Sequence, residues 1–433
     1  MRALRDFNIP KIVADDLDIF HGLLTDLFPG INPPRKVDLE FEAIVEGVAK
    51  DQKFHPDPNF ILKVVQLSEL LEIRHCVFVM GPPGAGKSSV WKTLAKAQDK
   101  SGKKTTVADL NPKVTSTDEL YGVVLAATRE WKDGLMSKTM RSLGSVPDTN
   151  PKWIILDGDL DANWIESMNS VMDDNKLLTL ASNERIPLKA WMKMIFEIRD
   201  LRFATPATVS RAGILYISDS AGSQWRSYVR SWIARMKYDD QKKTDLQQLF
   251  DKYVPDTLFH CAKSFKHVVP QVEISMVMCM CKLLENILNH QEVKGLEYIF
   301  VFACIWCIGG GYTWKEGKNY KQEFSNWWKD KWKVIKFQSK GTVFDYFVDT
   351  ENSKLDDWNK MTADDIVSTI DTSKAIASYT IPTVDTISAS YLMRNFIQAN
   401  HSPILVGLAG CGKTQIIKGL LTELVTKTED YIQ

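Results

Sequence analysis

Gly81-Pro82-Pro83-Gly84-Ala85-Gly86-Lys87-Ser88 sets three glycines, a lysine and a hydroxyl at the spacing of a phosphate-cradling loop. Glycines let main-chain N–H groups close on phosphate oxygens with no Cβ in the way. A helix that starts at the end of such a loop adds its free N–H groups and the positive end of its dipole. Lys87 would reach the outer phosphates, the Ser88 hydroxyl would hold Mg²⁺, and Ser89 continues the phosphate-facing first turn. The pattern recurs as Gly407-Leu408-Ala409-Gly410-Cys411-Gly412-Lys413-Thr414, with Thr414 in the place of the metal-holding hydroxyl. Two copies separated by the length of a whole nucleotide-binding module suggest an internal repeat.

Each loop needs a strand before it and a helix after it. Cys76 to Met80 is an apolar run of strand length, and a helix is expected from Ser89 onward. Pro403 to Val406 is the corresponding strand expected before the second loop, and Ile416, Ile417, Leu420 and Leu421 give the next helix its apolar face. Upstream, residues 37–71 read as two helices split at His55-Pro56-Asp57-Pro58. Strands are predicted at 105–110, 123–126, 152–156, 177–180, 194–198 and 213–217, with a helix face through Trp164, Ile165, Met168, Val171 and Met172. Strand and helix in alternation predict a parallel three-layer α/β domain. After Ser218 the period becomes helical; Ile274, Val277, Met278, Cys281, Leu284, Ile287 and Leu288 form one stripe. The aromatic residues Trp327, Trp328, Trp332 and Phe337 are expected to form a hydrophobic seam between domains. Residues 337–358 and 381–397 then repeat the lead-in of the first loop.

The whole chain of 433 residues has 54 basic and 54 acidic side chains, and a net charge of zero argues against a nucleic-acid translocase. The apolar run 298–308 is too short to span a bilayer. The seven cysteines include Cys304 and Cys307 in CxxC spacing, but no second pair completes a zinc site, so buried core thiols are expected. Without a signal peptide, an odd cysteine count suggests a reducing compartment. Both ends look cut, as in a piece of a longer protein.

A phosphate loop also needs a carboxylate at the end of a neighbouring strand to hold Mg²⁺ through water. Trp153-Ile154-Ile155-Leu156-Asp157 supplies Asp157.

These features together resemble AAA+ ATPases. Finer stretches are similar to the second AAA+ module of dynein heavy chains: Asn111-Pro112-Lys113, residues 130–134 (EWKDG), 153–161 (WIILDGDLD), 164–188 (WIESMNSVMDDNKLLTLASNERIPL) and 204–213 (ATPATVSRAG). Residues 204–217 followed by Ser218-Asp219, and 324–328 before 341–346, look more like axonemal than cytoplasmic chains, of outer-arm beta type. The resemblance implies the end of one module at 1–35, an α/β nucleotide-binding domain at 36–220, a helical lid at 221–336 and the start of a further module at 337–433. It also implies ATP, ADP and Mg²⁺ as ligands, neighbouring AAA+ modules, intermediate and light chains and microtubules as partners, and a place in the cytoplasm, cytoskeleton and axoneme of cilia. Neither nucleic acid nor membrane is expected as a partner. Arg211, after Thr208-Val209-Ser210, falls where such rings place the arginine that completes a neighbour's site. Active AAA+ sites carry a glutamate directly after the metal-holding aspartate; here Gly158 follows Asp157. The residues after the 194–198 strand, Arg199-Asp200-Leu201, lack the usual sensor asparagine. Both departures predict a site that binds ATP with little hydrolysis. The competing reading is an independent AAA+ ATPase that remodels other proteins.

Overall fold

The computed structural model describes residues 1–35, 37–218, 223–290, 295–337, 341–349, 352, 354–361 and 383–427. The expected boundaries at 36 and 220–221, and Ile381 at the start of the second lead-in, lie outside them. The chain forms two compact units, Met1–Ala234 and Arg235–Gln433.

The first unit opens with helices α1 (Arg2–Asn8), α2 (Leu17–Leu27), α3 (Leu39–Asp51) and α4 (Pro58–Ile73). The break before α4 is written in its residues. The Asp57 carboxylate accepts from the backbone N–H groups of Asn59 and Phe60, and Pro58 occupies a first-turn position where its missing N–H costs nothing. Strand β1 (Cys76–Met80) then runs into the glycine loop and α5 (Lys87–Lys100). Beyond lie β2 (Thr106–Leu110), α6 (Thr117–Tyr121), β3 (Gly122–Val124), β4 (Trp131–Asp133), α7 (Leu135–Ser145), β5 (Lys152–Asp157) and α8 (Ala162–Met172). The unit closes with β6 (Leu177–Thr179), β7 (Arg185–Pro187), β8 (Met192–Ile198), α9 (Pro206–Arg211), β9 (Gly213–Tyr216) and most of α10 (Ser223–Arg235).

Five strands form one parallel sheet in the order β2-β5-β8-β1-β9. Alternate residues of each strand face opposite layers. Cys76, Phe78, Ile154, Leu156, Met194 and Phe196 join a core with α7 and α8, while Val77, Val79, Trp153, Ile155 and Ile195 join another with α3, α4 and α5. This is the expected three-layer α/β arrangement, and burial on both faces explains why its strands read as unbroken apolar runs. Phe78 is fully buried, with its ring 5.0 Å from that of Phe196. Phe78→Ala is therefore expected to lower unfolding stability by about 3–5 kcal/mol in chemical denaturation.

Two predicted strands do not join this sheet. The segments near 123–126 and 177–180 form antiparallel hairpins, β3 with β4 and β6 with β7. The second turns at Asn183, whose φ of 64° is a left-handed conformation that asparagine tolerates.

The second unit is built on α11 (Asp240–Ser264), α12 (Glu273–His290), α13 (Leu296–Cys304) and, after the two-residue strands β10 (Trp314–Lys315) and β11 (Lys318–Asn319), α14 (Tyr320–Lys331). A π-helical turn, Ile305–Gly309, continues α13. Gly309 is required there, since a Cβ would lie 2.6 Å from the Phe324 ring. The tryptophan cluster lies inside this unit. Trp328 and Trp332 pack on Tyr253 of α11, Trp327 stacks on His260, and Phe337 meets Tyr346. Cys304 is buried and Cys307 half-buried. The hairpin β12 (Tyr346–Asp349) with β13 (Lys354–Asp357) is followed by α15 (Val384–Gln398) and α16 (Lys413–Lys427). Pro403 to Val406 forms no strand; Ile404 and Val406 are exposed, and no described segment pairs with them. A lone extended segment without a sheet partner does not hold as a strand.

Among the described residues, no helix is long and apolar enough to cross a membrane.

Candidate nucleotide site

The first loop is shaped by its glycines. Gly84 and Gly86 have φ values of 77° and 91°, which place their N–H groups in orientations L side chains rarely adopt. At Gly81 a Cβ would lie 2.3 Å from the Ile217 carbonyl oxygen, so the loop could not pass β9 with any other residue. No side chain caps the first turn of α5, and open space lies beside Gly86. These donors, the helix start and the clear space fit a chain of phosphates. Lys87 Nζ donates to the carbonyl oxygens of Gly81 and Pro82 at 3.0 and 3.1 Å. Burial lowers its pKa, against the opposing pull of the Glu197 and Asp157 carboxylates. The arrangement thus brings Gly81, Pro82, Pro83, Gly84, Ala85, Gly86, Lys87, Ser88 and Ser89 to one turn between β1 and α5.

The second loop repeats the turn. Gly410 and Gly412 have φ values of 80° and 86°, and Lys413 Nζ donates to the Gly407 and Leu408 carbonyl oxygens at 2.7 and 2.6 Å. Gly407, Leu408, Ala409, Gly410, Cys411, Gly412 and Thr414 are exposed around it. Cys411 is therefore an exposed thiol, unlike the buried Cys76, Cys261, Cys281 and Cys304.

Asp157 ends β5 on the α5 side of the sheet, the same side as Trp153 and Ile155. The residue is exposed, yet the surrounding protein still desolvates the carboxyl and raises its pKa, with repulsion from Glu197 second. Glu197 was not singled out from sequence. It stands in register with Asp157 on the adjacent strand and faces α5. Ser88 Oγ donates to its Oε1 at 2.7 Å, and Trp91 Nε1 donates to its Oε2 at 3.0 Å. The one signal available was parity: in β8 this acid shares the inward side of Ile195, where a carboxylate needs partners.

Asp159 is turned to the backbone N–H of Arg199, 3.1 Å away. A Cβ at Gly158 would lie 3.3 Å from both Asn111 Oδ1 and Pro112 Cδ. The position after Asp157 thus lacks a glutamate and is also crowded against one.

Arg211 ends α9, and its Nε is paired with the Asp173 carboxylate at the end of α8. The joint between these helices is fixed by Thr208 Oγ1 donating to Asn169 Oδ1 at 3.0 Å. Such a half-exposed pair contributes about 0.2–1 kcal/mol, little enough for the guanidinium to exchange partners.

A glycine-cradled helix start beneath two carboxylates, on a sheet flanked by helices, has the geometry that AAA-type P-loop domains use for a nucleotide. Comparison with protein families assigns the stretches in turn. Residues 76–212 match the AAA domain of the dynein-related subfamily, and 246–360 match the dynein heavy chain AAA lid domain. Residues 1–88 match the family described as the hydrolytic ATP binding site of the dynein motor region, and 368–432 match the P-loop containing dynein motor region. The chain belongs with the dynein heavy chains, as a stretch of their AAA modules, and its relatives are axonemal. It is 47% identical to the dynein alpha chain of the flagellar outer arm of Chlamydomonas reinhardtii, over 98% of its length. It is 46% identical to dynein axonemal heavy chain 9 of Homo sapiens and 45% to the ciliary dynein beta chain of Tripneustes gratilla, again over 98%. The chain spans 10% of the length of each of these relatives. The expected beta-type kinship is present, and it is shared with an alpha chain.

Proposed function

We propose that the chain is a nucleotide-binding segment of an axonemal dynein heavy chain, a motor that couples ATP binding and hydrolysis to microtubule movement in cilia and flagella. The observation that carries this reading is the β1–loop–α5 cradle with Ser88, Asp157 and Glu197 around it, in a chain homologous to axonemal dyneins along its length. At this site the loop N–H groups and Lys87 bind the phosphates of ATP or ADP. Ser88, with Asp157 opposite, would hold Mg²⁺, which would supply charge neutralisation at the outer phosphates. Among the described residues none is placed to activate water, so bound ATP would stay intact and the site would act as a structural or regulatory one. Thr414 would hold the metal in the second loop. Arg211 leaves Asp173 to meet the nucleotide of the preceding module. The further partners are the other AAA+ modules of the same heavy chain, the intermediate and light chains, and microtubules reached through other parts of the motor.

The motor reading is tested by Lys87→Ala in the intact heavy chain. ATP-driven microtubule gliding is expected to slow several-fold without stopping, because hydrolysis runs at another module. Unchanged gliding would count against a coupled role.

A further inference from the structure

Beside Asp157, on the neighbouring strand, stands a second acid, Glu197. The sheet order places β8 between β5 and β1, so the end of β8 lies one strand spacing nearer the loop than the end of β5, about 4.8 Å. A serine hydroxyl that offers a lone pair to a cation keeps its proton and must donate it to something. Ser88 donates it to Glu197 Oε1 at 2.7 Å. The other oxygen of Glu197 accepts from Trp91 on the next turn of α5 at 3.0 Å, and the residue is only 8% exposed. The two donors hold the carboxylate in one orientation, and the carboxylate in turn holds the hydroxyl. The Asp157 carboxylate accepts no hydrogen bond among the described residues, and the residue is exposed.

We propose that Glu197 is the positioning acid of this site: it aims the Ser88 hydroxyl at the hard divalent cation that accompanies the nucleotide, and Asp157 contributes its charge at longer range. The proposal rests on the nucleotide-binding reading above. It also deepens that reading. With both oxygens of Glu197 committed to Ser88 and Trp91, this acid is not free to act as the base that Gly158 fails to provide.

The test compares ATP affinities of the 433-residue chain by calorimetry, once with Mg²⁺ and once with excess chelator. The ratio of the two is the metal's contribution. Glu197→Gln is expected to shrink that ratio by about tenfold or more, the usual effect of losing a residue that orients a metal ligand, while leaving metal-free affinity within about twofold. Glu197→Asp should recover part of the ratio, and Asp157→Asn should cost less than Glu197→Gln. Should Glu197→Gln fail to fold, a cycle with Ser88→Ala and Asp157→Asn still decides. If Glu197 positions Ser88, those two losses add; if Asp157 does, the double variant is no worse than Ser88→Ala alone. A wild-type ratio in Glu197→Gln, or non-additivity of Ser88 with Asp157, overturns the proposal. Failure of the unaltered chain to bind ATP at all overturns the nucleotide reading beneath it.

Discussion

Lys87→Ala lowers the affinity of the first site for ATP by about a hundredfold or more. Among the described residues, the lysine is the side-chain cation in direct hydrogen-bond contact with the loop, resting on the carbonyls of Gly81 and Pro82. Swinging that ammonium onto phosphate exchanges neutral acceptors for charged ones. A hydrogen bond to a charged group is worth about 1.5–3 kcal/mol net, and contacts to two phosphates together give about 3 kcal/mol. At 1.4 kcal/mol per decade that is roughly a hundredfold. Fold stability should change little, because the lost contacts are side chain to backbone on a half-buried loop. Calorimetric titration with ATP, beside a denaturation curve, separates the two effects. Comparable binding by the variant would mean that the loop does not hold the outer phosphates.

Gly158→Glu does not convert the first site into a working ATPase. The obvious repair of a missing glutamate is to restore it, but the structure closes the way. A Cβ at this position meets Asn111 Oδ1 and Pro112 Cδ at 3.3 Å. Neither neighbour yields easily: the proline ring is rigid, and the Asn111 side-chain Oδ1 already accepts from the Lys113 N–H at 3.0 Å. Crowding a packed spot of this kind costs about 1–3 kcal/mol. The expected outcome is a less stable protein in which bound ATP is recovered intact by chromatography, as from the unaltered chain. A gain of tenfold or more in turnover at this site would show that the absent side chain alone keeps it silent.

How far the sequence reveals this site differs between its parts, for physical reasons. The loops are local objects, and their glycines, lysine and hydroxyl announce them. The split between α3 and α4 is equally local, since Asp57 and Pro58 determine it within a few residues. The central strands were legible because burial on both faces leaves continuous apolar runs. Their order was not, as nothing in a single strand names its neighbours. The short segment at 177–180 looks like any other apolar strand, and only its pairing with Arg185–Pro187 makes it a hairpin. Glu197 was hidden for a similar reason. Its meaning comes from Ser88 and Trp91, more than a hundred positions away, brought close by the parallel pairing of β8 with β1. The hold of Asp173 on Arg211 likewise depends on two helices meeting in space.

The two glycine loops adopt the same turn, with the lysine ammonium folded onto the carbonyls six and five residues earlier, although only the first follows a strand paired into a sheet. The fold-back of the lysine thus belongs to the loop's own residues, six and five positions apart, and recurs with and without a paired strand before it. An ammonium parked on two neutral carbonyls in both loops is a stored cation, released only when stronger acceptors arrive.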